Sequence, residues 1–170
     1  MKSKIILRFR DLITEEDGTI NDHQTLISRF GEVWWGWWMK QDETPPIDIF
    51  KKMVTEIEKK GFVKSYLFNT GLLKIYEVKT YKILVAPSSN KIPTPNPEKS
   101  PSYYHRGRYP AWFLLKKIEE ISFDNIELLY HSFPTRLEPD FKEYYSDYVG
   151  QKVMSLKQLK EFDVTLWVVK

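Results

Sequence analysis

Apolar and polar positions alternate two by two at the start of the chain. Ile5, Leu7 and Phe9 fall on one parity, and Ile6, Arg8 and Arg10 on the other, which is the period of a strand. After the turn signal Asp17-Gly18 the period lengthens. Leu26, Ile27 and Phe30 mark a short helix, capped by Asn21 or Asp22 and stopped by Gly31. Glu32 to Trp38 reads as a second strand that Pro45-Pro46 ends. Ile47, Phe50, Met53, Val54 and Ile57 recur at helical spacing, with Pro46 in the first turn and Lys59-Lys60-Gly61 closing the helix. Phe62 to Phe68 and Leu72 to Ala86 predict a hairpin turning at Asn69-Thr70-Gly71, with Gly71 supplying a positive φ. The apolar parity slips within the longer strand, which predicts a bulge or bend near Ile75-Tyr76. Ala111 to Ile121 predicts another strand, Ile126 to Tyr130 a shorter apolar run, and Phe141 to Val149 a helix. Ser155 caps Leu156 to Phe162, and Thr165 to Val169 is a last strand.

Together these elements predict one α+β domain over residues 1–170, with about six or seven mixed strands and three or four short helices. A strand near each end of the chain suggests pairing of the two, which would help to close a sheet. A small barrel is favoured over a doubly wound fold. Between the strands, Pro87 to Pro110 holds six of the ten prolines, so a long Pro-rich loop is expected over 87–110. Loops of that length in a compact domain are usually functional or disordered.

Composition narrows the chemistry. With no cysteine, disulfides and thiolate chemistry are excluded. An apolar content of 42% is too high for a disordered chain. No apolar run is long enough to span a membrane, and Arg8 interrupts the N-terminal run too early for a signal-peptide core. A cytoplasmic domain without membrane contact is expected. Four of the six tryptophans, Trp34, Trp35, Trp37 and Trp38, lie within five residues. Strand parity places Trp35 and Trp37 on one face with Val33, and Trp34 and Trp38 on the other, flanking Gly36. Trp34 and Trp38 would stand roughly 13 Å apart, too far to clamp one planar ligand without a third ring. One face must be core. The other faces solvent or a pocket, with Gly36 leaving a notch for a ligand or another backbone.

Charge sharpens this picture. The chain has 26 Lys+Arg against 23 Asp+Glu, yet residues 82–117 hold seven basic residues against Glu98 alone. The remainder is therefore net negative. Tyr103-Tyr104-His105-Arg106-Gly107-Arg108-Tyr109 interleaves rings and cations, a pattern suited to stacking on bases and contacting phosphates. A solvated loop with packed tyrosine anchors is the plainer alternative.

Three segments together resemble PUA-like domains of the EVE and YTH kind, from Arg29 to Val169. They are Gly31-Glu32-Val33-Trp34-Trp35-Gly36-Trp37-Trp38-Met39-Lys40, the run Leu72 to Lys79, and Tyr109-Pro110-Ala111-Trp112-Phe113 leading into Ile118 to Ile121. The resemblance implies a small β-barrel with helices packed outside. It also implies an aromatic pocket that accepts a modified or flipped base, as in RNA readers and in modules of antiviral systems. Trp34, Trp35, Trp37 and Trp38 would form the pocket strand, with Trp112 on a partner strand. Tyr103 and Tyr104 are further candidates for ligand contact, and Lys40, Lys91, Arg106 and Arg108 for phosphate contact. The expected partner is nucleic acid or a nucleotide, with a fused or separate effector domain possible, and no cofactor or metal is expected.

Enzyme signatures are sparse. His23, His105 and His131 lack metal-binding spacing, and phosphate-cradling glycine motifs and a nucleophile elbow are absent. Glu119-Glu120, adjacent on a strand, should face opposite ways. Glu77-Val78-Lys79 fits part of a metal-dependent nuclease site, but the preceding strand offers no aspartate. A non-catalytic reader of a nucleobase is therefore the leading expectation. A protein-interaction or regulatory domain, docking a partner through exposed aromatics or Pro93-Thr94-Pro95-Asn96-Pro97, is the alternative, and a nuclease is third.

Overall fold

The two-residue alternation of the first strand sorts its side chains into two different cores. Ile5, Leu7 and Phe9 enter one, and Ile6 enters another on the opposite face. The computed structural model describes residues 2–88, 90–132 and 135–170. It contains one mixed sheet of β1 (Lys4–Phe9), β2 (Val33–Gly36), β3 (Val63–Asn69), β4 (Lys74–Val85), β5 (Ala111–Ile121) and β6 (Leu166–Val169), in the order β2-β5-β4-β3-β1-β6. Strands β1 and β3 are parallel, and the other pairs are antiparallel. Four helices accompany it: α1 (Gly18–Phe30), α2 (Ile47–Lys60), α3 (Pro139–Ser146) and α4 (Leu156–Glu161). The fold is mixed α+β, and the strands at the two ends of the chain, β1 and β6, pair as expected.

The strand ladder is open, with β2 and β6 at its edges. The barrel expected from the resemblance is not completed by hydrogen-bonded strands. Both edge strands have only four residues, and β5 offers β2 no partner beyond the Trp37 amide, which donates to the Ala111 carbonyl at 3.1 Å. Side chains link the edges instead. The Trp37 indole N–H donates to Thr165 Oγ1 at 2.9 Å. Glu43, buried, accepts from the Thr165 amide at 3.1 Å, the Thr165 hydroxyl at 2.7 Å, the Lys40 amide at 3.0 Å and the Thr135 hydroxyl.

Three apolar clusters follow from the faces of the sheet. The largest holds Ile5, Leu7, Val33, Trp35, Leu67, Phe113 and Leu166 with Phe50 and Met53 of α2 and Ile20 of α1. A second joins Ile6, Tyr66, Phe68 and Trp167 to Tyr130, Tyr145, Leu159 and Phe162. The third sets Trp34, Trp112 and Leu114 against Tyr104 and Tyr109 of the long loop. Two local expectations need correcting. The parity slip of β4 lies at Lys79–Lys82, opposite Leu114–Lys117, rather than at Ile75-Tyr76, because both Tyr76 and Val78 still face the main core. The hairpin turn places its positive φ at Leu73, not Gly71, because the Asn69 side chain accepts from the Gly71 and Leu72 amides and fixes the preceding turn. Helix α1 starts before the expected Asn21 or Asp22 cap. Asp11 accepts from the Asp17 and Thr19 amides and so holds its first turn from outside. Gly31 and Gly61 end α1 and α2 in the left-handed conformation, each amide returning to a carbonyl four residues back.

Candidate nucleobase site

Strand β2 stops at Gly36, and this decides which tryptophans are available. Up to that point alternation buries Trp35 in the main core and Trp34 in the loop core. Trp37 then turns inward, with 1% of its surface exposed. Trp38, past the end of the strand, is left 52% exposed and stacks on Tyr109, with ring centres 5.8 Å apart and planes 30° from parallel.

Trp38 borders a cavity of about 440 Å3 at the ends of β1 and β2. That volume is within the range of small-molecule pockets, roughly 300–1,000 Å3. Its aromatic wall is Phe9, Trp35, Trp38, Tyr103 and Tyr104, and Gly36 contributes backbone. Leu12 and Ile13, both well exposed, form an apolar rim, and Thr14, Thr19 and Thr165 add hydroxyls. Arg8, Arg10, Lys40 and Asp163 complete the lining.

Packing behind each wall fixes it. The Trp35 ring lies 4.4 Å from that of His23 and meets Phe9 edge-on at 5.2 Å. Tyr103 meets Tyr104 edge-on, and Tyr104 in turn packs edge-on against Tyr109 and Trp112. The loop bearing these tyrosines has two single 3-10 turns, Pro97–Lys99 and Ser102–Tyr104. Ile92 and Tyr109 exchange backbone hydrogen bonds at 2.9 Å, and the Trp112 indole donates to the Ile92 carbonyl at 3.0 Å. Outside the lining, Asp11 accepts from Asn69 at 3.0 Å as well as from the start of α1. Burial works against the Asp11 carboxylate, yet hydrogen bonds from Thr19, Asp17 and Asn69 hold it below the usual range.

The space at Gly36 is already filled. A Cβ there would lie 2.9 Å from the Tyr109 ring and 3.1 Å from that of Trp112. The glycine thus admits two rings of the loop core, and the ligand notch expected from sequence is used for packing. Burial raises the Tyr104 hydroxyl far above its ordinary pKa, with Tyr103 and Tyr109 adding to the shift. Burial likewise raises Tyr103. Both therefore present neutral phenols.

The mouth is basic. Arg8 pairs with Asp163 at 3.1 Å, and Lys40 pairs with the same carboxylate. Arg10 has no ion-pair partner among the described residues. Hydrogen bonding from Lys40, with Arg8 beside it, holds Asp163 below the ordinary carboxylate range despite partial burial.

The Pua-like family model matches residues 5–170. The chain belongs to the PUA-like family. No curated protein and no solved structure matches it. In this PUA-like domain the cavity brings together Trp35, Trp38, Tyr103, Tyr104 and Lys40 from the sequence-derived candidates. Trp34, Trp37 and Trp112 are buried outside its lining, and Lys91, Arg106 and Arg108 are exposed on the loop away from it. The sequence reading missed Arg8, Arg10, Leu12, Ile13 and Asp163. The parity of Arg8 and Arg10, opposite that of Leu7 and Phe9, was a usable signal, whereas nothing local marks Asp163.

The nuclease trace is occupied by surface contacts. Glu77 lies 3.6 Å from Lys64, and Lys79 sits over the Phe62 ring. No group of three metal-ligating side chains occurs among the described residues.

Proposed function

We propose that this PUA-like domain is a non-catalytic reader that takes a nucleobase into the cavity walled by Trp35, Trp38, Tyr103 and Tyr104. The half-exposed Trp38 carries the reading, because a large ring at the lip of an aromatic cavity is costly in water without a ligand to cover it. PUA-like domains as a family bind RNA and other nucleic acids, in keeping with the basic mouth. A modified or flipped base, as in the EVE and YTH kind of reader, suits a cavity that receives one ring system and excludes a duplex. The base stacks on Trp38, and the hydroxyls of Thr14 and Thr19 and the Gly36 backbone read its edge. Lys91, Arg106 and Arg108 continue the basic track along the loop for flanking phosphates.

Tryptophan fluorescence titrations with nucleosides, nucleotides, single-stranded RNA and DNA carrying modified bases test this. Stacking is worth about 1–3 kcal/mol per base, so Trp38→Ala should weaken binding roughly five- to 150-fold. Binding should also fall as salt rises. If none of these ligands alters the fluorescence, the reading fails. A stable protein complex by size exclusion without nucleic acid would then favour docking of a partner chain on Leu12, Ile13 and Trp38.

A further inference from the structure

We propose that Asp163 is a resident counter-ion in an anion site at the cavity mouth, a site whose occupant in the complex is a phosphate group. The inference rests on the nucleobase reading for its biological ligand, but the anion site itself can be tested without it.

Three cations from separate parts of the chain converge on this one carboxylate: Arg8 at 3.1 Å, Lys40, and Arg136 at 3.6 Å. Arg136 has its own acids, Asp42 at 3.2 Å and Glu138 at 2.7 Å. Arg8 and Lys40, however, have only Asp163 as an ion-pair partner among the described residues. Arg10 adds a further positive charge to the same lining. One acid therefore stands against three cations at the mouth, and the surplus is two positive charges.

The Asp163 side chain is 59% exposed, whereas that of Arg8 is only 17% exposed. The anion is thus the open, displaceable member of the group, and Arg8 is its fixed member. Exposed ion pairs are weak, so releasing Asp163 is a small cost. A phosphate offers more charge and more acceptor oxygens, and it suits the planar guanidinium fork of Arg8. The location also fits. A base stacked on Trp38 leaves its sugar and phosphate at the mouth, where Arg8 and Lys40 line the same cavity. Asp163 thereby sets selectivity, holding the cations in place and requiring an incoming anion to outcompete a carboxylate.

The test compares wild type, Asp163→Asn and the double variant Asp163→Asn/Arg8→Gln, with folding checked by circular dichroism. The probes, at low salt, are inorganic pyrophosphate, the four ribonucleosides, their 5′-monophosphates and a mixed-sequence single-stranded RNA. Asp163→Asn should tighten pyrophosphate roughly three- to tenfold, the double variant should reverse the gain, and nucleoside affinities should not move. Tightening of RNA alone among the nucleotides assigns the site to an internal phosphodiester. Tightening of the monophosphates as well assigns it to a terminal phosphate. If nucleosides bind but Asp163→Asn leaves every phosphate probe unchanged or weaker, the anion site is overturned and the base pocket stands. If pyrophosphate tightens while no nucleoside or RNA changes the fluorescence, the anion site stands and the base reading falls. Should Asp163→Asn fail to fold, Asp163→Ser carries the same comparison.

Discussion

Acidification should destabilise this fold through His23, a residue with no surface exposure that lies under the cavity wall. Its Nδ1 is 2.7 Å from the Thr19 carbonyl, so Nδ1 carries the proton and donates it. Nε2 has no hydrogen-bond partner among the described residues. A second proton would create a buried cation against Trp35 and Tyr104. Burial accordingly pushes the His23 pKa from 6.5 down to about 4. The unfolded chain titrates near the ordinary value, so between the two pKa values it binds a proton that the native state refuses. Stability from this group is complete above the unfolded pKa and is lost as pH falls toward the folded one. The full difference corresponds to about 3 kcal/mol, of which about 2 kcal/mol is lost between about pH 7.5 and about pH 5. Urea unfolding followed by far-ultraviolet circular dichroism at both pH values, on wild type and His23→Leu, isolates the contribution. Groups common to both proteins cancel, and the depressed carboxyls Asp11 and Asp163 act at lower pH. Wild type should lose about 2 kcal/mol more than the variant over this interval. Equal losses would refute the assignment of a neutral, desolvated His23.

Three further substitutions separate the parts of the structure. Glu43→Ala strips the acceptor from the Thr165 amide and from two hydroxyls in a buried setting, and should lower unfolding stability by about 3 kcal/mol by denaturant titration. Trp37→Ala should cost about 3–5 kcal/mol, because its ring fills core and its indole N–H bridges to Thr165. Trp38→Ala should cost less than about 1 kcal/mol, because half of that ring is in water. Similar losses for the two tryptophans would contradict the placement of Trp38 at a lip.

Local periodicity carried the elements whose signals are themselves local. The α2 helix, with its apolar spacing and Gly61 stop, and the 87–110 loop, with its prolines, were readable because neighbours in sequence determine them. The site was only half readable for the converse reason. The charge excess over 82–117 pointed to the loop, yet the cations at the cavity are Arg8, Arg10 and Lys40. Arg8 and Asp163 are 155 positions apart, and only the β1–β6 pairing brings them together. A charge count by sequence window averages over such residues. Strand parity sorted Trp34 from Trp35 and put Trp37 with the main core, although the strand itself ends at Gly36 rather than at Trp38. No turn residue announces the end of β2 at Gly36, because the strand ends where its partner β5 begins, at Ala111 opposite the Trp37 amide.

The aromatic excess follows from the same geometry. The described loop residues 90–110 have little regular structure, and beside the Ile92–Tyr109 backbone hydrogen bonds the rings of Tyr104, Tyr109, Trp34 and Trp112 hold them. Their burial leaves Tyr103 and Tyr104 rigid at one wall of the cavity and lets Tyr109 support Trp38 at another. Of the tryptophan run, Trp34 holds the loop, Trp35 and Trp37 belong to the main core, and Trp38 is left half exposed. On the proposed reading, a loop already ordered by these rings spares a ligand the cost of ordering it, and Trp38 and Trp35 are the two members of the run that reach the cavity.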